Sequence, residues 1–163
     1  MKNQADMLFQ SINADQLEPV LRRALGRERF QTGGWTVTQL GGGMGNPVSV
    51  GLYRFAGEGR DGAEAVPWTL VLKVIQSPAN AGWSNMGEGE DAAHWNYWKR
   101  EPLVYHSGLL EQLPAGLNAP KCYGLEEISG SVALLWLEEI RGEAAYGWTL
   151  ERFALTARHL GIA

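Results

Sequence analysis

The sequence is poor in cysteine, has no excess of positive charge and contains no long apolar segment. One cysteine in 163 residues excludes a disulfide within the chain. Fourteen Lys and Arg against 18 Asp and Glu give a net charge of −4, which argues against nucleic acid as the main partner. No apolar run reaches the roughly 20 residues that span a membrane, and no signal-peptide pattern is present. We therefore expect a cytoplasmic protein without nucleic-acid or membrane partners.

The rest of the composition is typical of a folded domain. Hydrophobic residues make up 45% of the chain and charged residues 20%, and the length allows one sizeable core. Seven tryptophans are many for this length and indicate large aromatic surfaces. The single Cys122 lies in a strand-like run and is interpreted as a small buried side chain.

The most informative stretch, Pro67–Ile75, is almost entirely apolar and predicts a buried strand. Successive side chains of a strand alternate between faces. One face would carry Trp68, Leu70, Leu72 and Val74, and the other Thr69, Val71, Lys73 and Ile75. An ammonium group amid this apolar surface is costly unless an anion meets it. The sequence therefore predicts an anionic partner for Lys73.

The predicted order of elements is helix, three strands, helix, two strands, helix. Helices are expected over about 14–25, 91–113 and 149–160, and strands over about 35–40, 48–55, 67–75, 121–128 and 132–137. Residues 57–65 are interpreted as a Gly-rich connection. The fold class is α+β, a five-stranded antiparallel sheet with a packed helix, an N-terminal helix and a C-terminal amphipathic helix. Pro102 lies inside the second predicted helix, where it would cost one backbone hydrogen bond unless the helix ends near Arg100 and restarts with Pro102 as its first residue.

A glycine-rich segment separates the first two predicted strands and contains Gly41, Gly42, Gly43, Gly45 and Asn46. Glycines allow backbone N–H groups to approach a phosphate closely. A P-loop is excluded because no Gly-Lys-Ser/Thr follows, and a dinucleotide fingerprint because a strand follows instead of a helix. Two interpretations remain open: a protein kinase-like hairpin that covers phosphates, and a hairpin tip without a ligand.

Lys73 adds a second kinase-like feature. In kinases a lysine of the third strand holds the α- and β-phosphates and pairs with a glutamate of the next helix. Here Glu101 is the candidate partner, and Val71, on the same face as Lys73, would form part of a nucleotide ceiling. The alternative is a buried lysine with a local carboxylate and no role in ligand binding.

In their order, these segments resemble the N-terminal lobe of the aminoglycoside phosphotransferase and choline kinase-like family. The matching segments are 35–40, 41–55, 71–73, 100–110, 119–124, 134–139 and 148–161. The resemblance implies a helical extension over 1–34, a protein kinase-like N-terminal lobe over 35–140, and a hinge or linker with the start of a second lobe over 141–163. It also implies that ATP is the cofactor, that Leu137 and Glu139 belong to the adenine-binding hinge, and that the glycine loop covers phosphates held by Lys73 and Glu101.

The family's chemistry is performed by a second lobe, and its motifs do not occur in the sequence. His94, His106 and His159 are not followed by the required Asp, and Glu90 and Asp91 are interpreted as parts of a solvated loop. We therefore expect no catalytic residue and no metal ligand in this chain, with Mg²⁺ and the small-molecule acceptor bound by the missing lobe. Kinase activity should be absent and ATP affinity about millimolar.

The apolar residues of 149–160 would be left uncovered and predict a homodimer through that helix. The alternative function is a non-catalytic protein-interaction domain with the fold of a kinase lobe.

Overall fold

The computed structural model describes residues 12–41, 48–81, 89–142 and 145–161. Within them the helices are α1 (Ala14–Leu25), α2 (Arg100–His106) and α3 (Leu150–Leu160). The strands are β1 (Gln31–Leu40), β2 (Ser49–Asp61), β3 (Glu64–Gln76), β4 (Cys122–Ile128) and β5 (Val132–Leu137). Short 3₁₀ turns occupy Pro78–Ala81, Leu109–Gln112 and Ala145–Gly147. The predicted α+β class is confirmed, whereas Gly42, Gly43, Gly45 and Asn46 lie outside the described residues.

The five strands form one antiparallel sheet in the order β1-β2-β3-β5-β4. β3 is therefore the central strand, and it pairs with β2 along its whole length and with β5 from Val71 to Gln76. Hydrophobic cores cover both faces of β3, which explains why apolar residues occur on both faces of this strand. The predicted sheet is confirmed, and the division of the chain into domains stays a prediction.

Helix α1 has the bounds expected from the sequence because both of its ends are signalled locally. Asn13 Oδ1 accepts a hydrogen bond from Gln16 N at 3.1 Å, and Gln16 Oε1 accepts one from Asn13 N at 3.2 Å. This reciprocal capping box fixes the first turn. Gly26 ends the helix in the left-handed conformation, with φ of 65°.

The sheet has a hydrophobic core on each face. On the first, which we call the α1 face, α1 packs against Trp68, Leu70, Leu72 and Val74 of β3. On the second, the α2 face, Val71 and Ile75 pack with Trp98 and with residues of β5, and Tyr105 of α2 lies against this cluster. The alternation predicted for β3 is confirmed. Lys73 follows the same alternation and belongs to the α2 face.

The predicted connection over 57–65 is wrong, because β2 continues to Asp61 and β3 begins at Glu64. Gly57 and Gly59 serve close packing, whereas Gly62 lies in the short turn between the two strands, with φ of 64°. A methyl group at Gly57 would lie 2.9 Å from the Trp68 ring, and one at Gly59 would overlap the Phe30 ring. Glycine at these positions lets aromatic rings lie directly on the strand backbone.

The predicted helix over 91–113 is also wrong, because α2 spans only Arg100–His106. Residues 91–99 form turns before α2. Gly108, in the left-handed conformation with φ of 72°, separates α2 from the 3₁₀ turn that follows. Pro102 is the third residue of α2. The first four N–H groups of a helix have no partner within it, so proline costs little there. The helix neither ends near Arg100 nor restarts at Pro102.

Among the described residues, no helix combines the length and the apolar character needed to span a membrane.

Candidate functional site

The α2 face carries one lysine in a row of leucines that crosses all five strands. The cross-strand partners in this row are Leu40, Leu52, Lys73, Leu135 and Leu125. Directly paired residues present their side chains on the same face of a sheet. The Lys73 ammonium group therefore emerges from apolar surface, and its side chain is only 22% exposed. A charge in this position needs an anionic partner.

That partner is Glu101, the second residue of α2. Lys73 Nζ lies 2.5 Å from Glu101 Oε2, and the Glu101 side chain is 33% exposed. The ion pair expected from the sequence is therefore present, and it joins the central strand to the helix that follows it. Its role in binding a nucleotide stays a prediction.

The position of α2, and with it that of Glu101, is set by the residues just before the helix. Trp98 is 1% exposed and fills the core of the α2 face. Its Nε1 donates a hydrogen bond to Glu90 Oε2 at 2.9 Å, and the same carboxylate accepts a hydrogen bond from Ser77 Oγ. These bonds, first that from Ser77, hold the pKa of Glu90 below its usual value.

Glu90 was expected to belong to a solvated loop, and it is exposed, but its carboxylate links the end of β3 to Trp98. Because Trp98 precedes Glu101 by only three residues, this link restricts where Glu101 can lie. A contact between Glu90, Ser77 and Trp98 could not be recognised in the sequence, where the three residues have no regular spacing.

A second cross-strand row lies beside the Lys73 row on the same face. It aligns Thr38, Arg54, Val71, Leu137 and Cys122. Val71 and Leu137 are direct partners and are 8% and 5% exposed. Two of the predicted nucleotide-binding residues therefore form a continuous apolar surface next to Lys73.

Arg54, in this second row, was not singled out from the sequence. Its Nε lies 2.9 Å from Glu139 Oε1, and Arg141 lies 3.7 Å from Glu139 Oε2. The carboxylate of Glu139 is thus engaged with arginines, so any contact of Glu139 with a ligand would have to use its backbone. The sequence feature that could have indicated Arg54 is that it is the single cation in the alternating strand sequence of residues 48–55.

The segment after β5 is anchored to the residues that precede β4. Glu138 N donates a hydrogen bond to Lys121 O at 2.8 Å, and Lys121 N donates one to Glu138 Oε2 at 3.2 Å. Lys121 directly precedes β4 and Glu138 directly follows β5, so these hydrogen bonds extend the contact between the two strands by one residue pair. The predicted hinge is therefore held at the edge of the apolar surface formed by Val71 and Leu137.

The two residues that flank the glycine loop, Gly41 and Val48, lie beyond the Lys73 row, on the side away from the predicted hinge. Gly41 is exposed and directly follows Leu40, which belongs to the Lys73 row. Val48, just before β2, is buried, and its carbonyl accepts a hydrogen bond from Gln76 N at 2.8 Å. The loop therefore begins beside the Lys73 row and ends beside Gln76, the last residue of β3.

Within the described part of the chain, no group of three or more His, Cys, Asp and Glu side chains is placed to hold a metal ion. Comparisons of the chain with protein-family models, with curated proteins and with solved structures find no match. The functional argument therefore depends on the geometry of the site.

Proposed function

We propose that this chain is the ATP-binding lobe of a small-molecule O-phosphotransferase, with the arrangement of a protein kinase-like N-terminal lobe. The observation that carries the proposal is the ion pair between Lys73 of the central strand and Glu101 of the following helix. In kinases a lysine so placed holds the α- and β-phosphates of ATP, and the glutamate pairs with it.

The surroundings of Lys73 favour a ligand role over a purely structural one. A leucine or methionine at position 73 would complete the apolar row formed by Leu52 and Leu135. Partly buried ion pairs add little net stability, because desolvation offsets much of the attraction. A charged residue that stability does not require is best explained by an anion that it binds.

The neighbouring residues supply the other parts of a nucleotide site. Val71 and Leu137, which are 8% and 5% exposed, are the apolar side chains that would contact a purine ring, and the backbone of residues 137–139 would bind its polar edge. Lys73 would contact the phosphate oxygens while Glu101 fixes the ammonium group. The glycine loop, with Gly41 at its start, would cover the phosphates. Mg²⁺ and the acceptor alcohol would be bound by a second lobe, so this chain would supply binding without chemistry.

The proposal is tested by titrating MgATP into the wild-type protein and into two matched variants. Lys73→Met removes the ammonium group from the site, whereas Lys99→Met removes a different lysine that pairs with Glu127 at 2.9 Å. We expect a dissociation constant of about 1 mM for the wild type and for Lys99→Met, and no saturation for Lys73→Met. Equal binding by all three proteins would refute the nucleotide site.

A second candidate function is self-association through α3. Leu150, Phe153 and Leu160 lie on one side of this helix and are 83%, 47% and 63% exposed. Glu151 lies in its first turn, and Arg158 and His159 lie in its last. In an antiparallel pair of two copies, Glu151 of each copy would face Arg158 and His159 of the other. This complementarity favours a second copy of the chain as the partner.

A further inference from the structure

Two adjoining cavities lie at the edge of the sheet where β4 is the outer strand. One, of about 330 Å³, is enclosed by the end of α2, the following 3₁₀ turn and residues 119–123. The other, of about 410 Å³, lies between α1, the end of α2 and β4. Tyr105, Cys122 and Tyr123 line both cavities, so we treat the two as one site and call it the β4-edge groove. Cavities of this size accommodate small organic molecules.

The lining of the β4-edge groove combines apolar surface with basic groups. Tyr105, Tyr123 and Cys122 form its middle, with Leu110 at one end and Leu125 at the other.

Its basic lining residues are Arg23 and His106 in the larger cavity and Lys121 in the smaller one, and Glu111 of the smaller cavity is acidic. Bases therefore outnumber acids, and the larger cavity has no acidic lining residue among the described residues. Arg23 Nε donates a hydrogen bond to Tyr123 O at 2.6 Å, which fixes the guanidinium group and leaves its terminal nitrogens as donors. A fixed guanidinium group is well suited to binding a carboxylate through two hydrogen bonds.

We propose that the β4-edge groove is a binding site for a small organic acid with an aromatic or aliphatic body. Its carboxylate binds Arg23, beside His106, and its body packs along Tyr105 and Tyr123 into the smaller cavity. The groove borders the proposed nucleotide site, because Cys122 is the direct cross-strand partner of Leu137, but its basic groups are Arg23 and Lys121 and not Lys73.

The groove also contacts the helix that carries Glu101. Tyr105 follows Glu101 by four residues and therefore lies on the same side of α2. It is buried enough that desolvation, with a smaller effect from the Glu101 charge, raises its pKa to about 12. A ligand that packs against Tyr105 would stabilise one position of α2 and of the Lys73–Glu101 ion pair, and so change MgATP affinity. This coupling rests on the proposed function, whereas binding in the groove does not.

Cys122 provides a site-specific measurement because it is the only thiol in the chain and borders both cavities. We would follow its reaction with a maleimide in the presence of 3-phenylpropionate, the uncharged 3-phenylpropanamide and the cationic 3-phenylpropylamine. We expect the carboxylate to protect Cys122 with a dissociation constant of about 1–10 mM. The amide should bind about tenfold more weakly, and the amine should give no protection.

Two variants locate the site and one controls for charge. Arg23→Gln should weaken protection by 3-phenylpropionate about tenfold. Ala119→Trp fills the smaller cavity, retains every basic residue and should abolish protection. Arg29→Gln removes an exposed arginine outside the groove and should leave protection unchanged.

The outcomes separate the groove from the nucleotide site. Equal protection by all three probes, or none by 3-phenylpropionate at about 20 mM, would overturn the groove. Unchanged protection in both Arg23→Gln and Ala119→Trp would also overturn it. If 3-phenylpropionate protects Cys122 but Lys73→Met binds MgATP as tightly as the wild type, the groove is supported and the proposed nucleotide site is refuted.

Discussion

The Lys73–Glu101 ion pair should be nearly dispensable for stability and necessary for nucleotide binding. We would test this with a double-mutant cycle that contains Lys73→Met, Glu101→Gln and the double variant. Methionine retains the length of the lysine stem and matches the neighbouring leucines. Glutamine retains the shape of Glu101 without its charge. The same cycle at Lys99 and Glu127 is the matched control, since that pair also joins the start of α2 to the sheet.

The expected magnitudes follow from exposure. The side chains of Lys73 and Glu101 are 22% and 33% exposed, so solvent screens the pair and an unpaired partner can regain part of its hydration. We expect each single variant to lower the free energy of unfolding by about 1 kcal/mol. The double variant should be at least as stable as either single variant, because the introduced methionine would bury apolar surface among leucines that now surround an ammonium group.

Urea denaturation followed by tryptophan fluorescence measures all four free energies of unfolding, and MgATP titration of the same proteins measures binding. If the double variant keeps its stability but no longer binds MgATP, the ion pair serves nucleotide binding and not the stability of the fold. A double variant destabilised by about 3 kcal/mol or more would refute this reasoning, because the ion pair would then be a structural element of the core.

Four further predictions concern pH, the core, α3 and activity. Glu90→Gln should reduce the loss of stability below about pH 4.5. The pKa of Glu90 is lower in the folded state, so its carboxylate stabilises the fold above the unfolded pKa of 4.5, and this contribution is lost as the pH falls through the folded pKa. Thermal unfolding between pH 3 and 7 tests this, and an unchanged dependence of stability on pH would contradict it. Leu72→Ala should cost about 2–5 kcal/mol in urea denaturation, since Leu72 is 0% exposed, and a loss below about 1 kcal/mol would contradict the described core. Phe153→Asp should abolish a dimer in sedimentation velocity whereas Leu155→Asp, on the opposite side of α3, should not; a strictly monomeric wild type would exclude the dimer. Incubation of this chain alone with MgATP and aminoglycosides, choline or other small alcohols should yield no phosphorylated product, and robust transfer would contradict the division of binding and chemistry between two lobes.

Several parts of the fold could be predicted from the sequence because neighbouring residues along the chain decide them. The bounds of α1 follow from Asn13, Gln16 and Gly26, all at its ends. The two faces of β3 follow from strict alternation, and the same alternation placed Lys73 and Val71 on one face. The order of the five strands along the chain was also predicted, and Glu101 was singled out as the partner of Lys73 because kinases pair a third-strand lysine with a glutamate of the next helix.

Tertiary structure decided what the sequence left ambiguous. Gly57 and Gly59 indicate a loop by composition, but Trp68 and Phe30 pack on their backbone, so both glycines lie within β2. Helical pattern extends over 91–113, but the buried Trp98 and its bond to Glu90 restrict the helix to Arg100–His106.

The ion pair of Arg54 with Glu139 and the β4-edge groove likewise arise from segments far apart in the chain. The physical reason is the same in each case. Capping and alternation are local and can be read from a few consecutive residues, whereas the meaning of a glycine, a tryptophan or a charge depends on which distant surface it contacts.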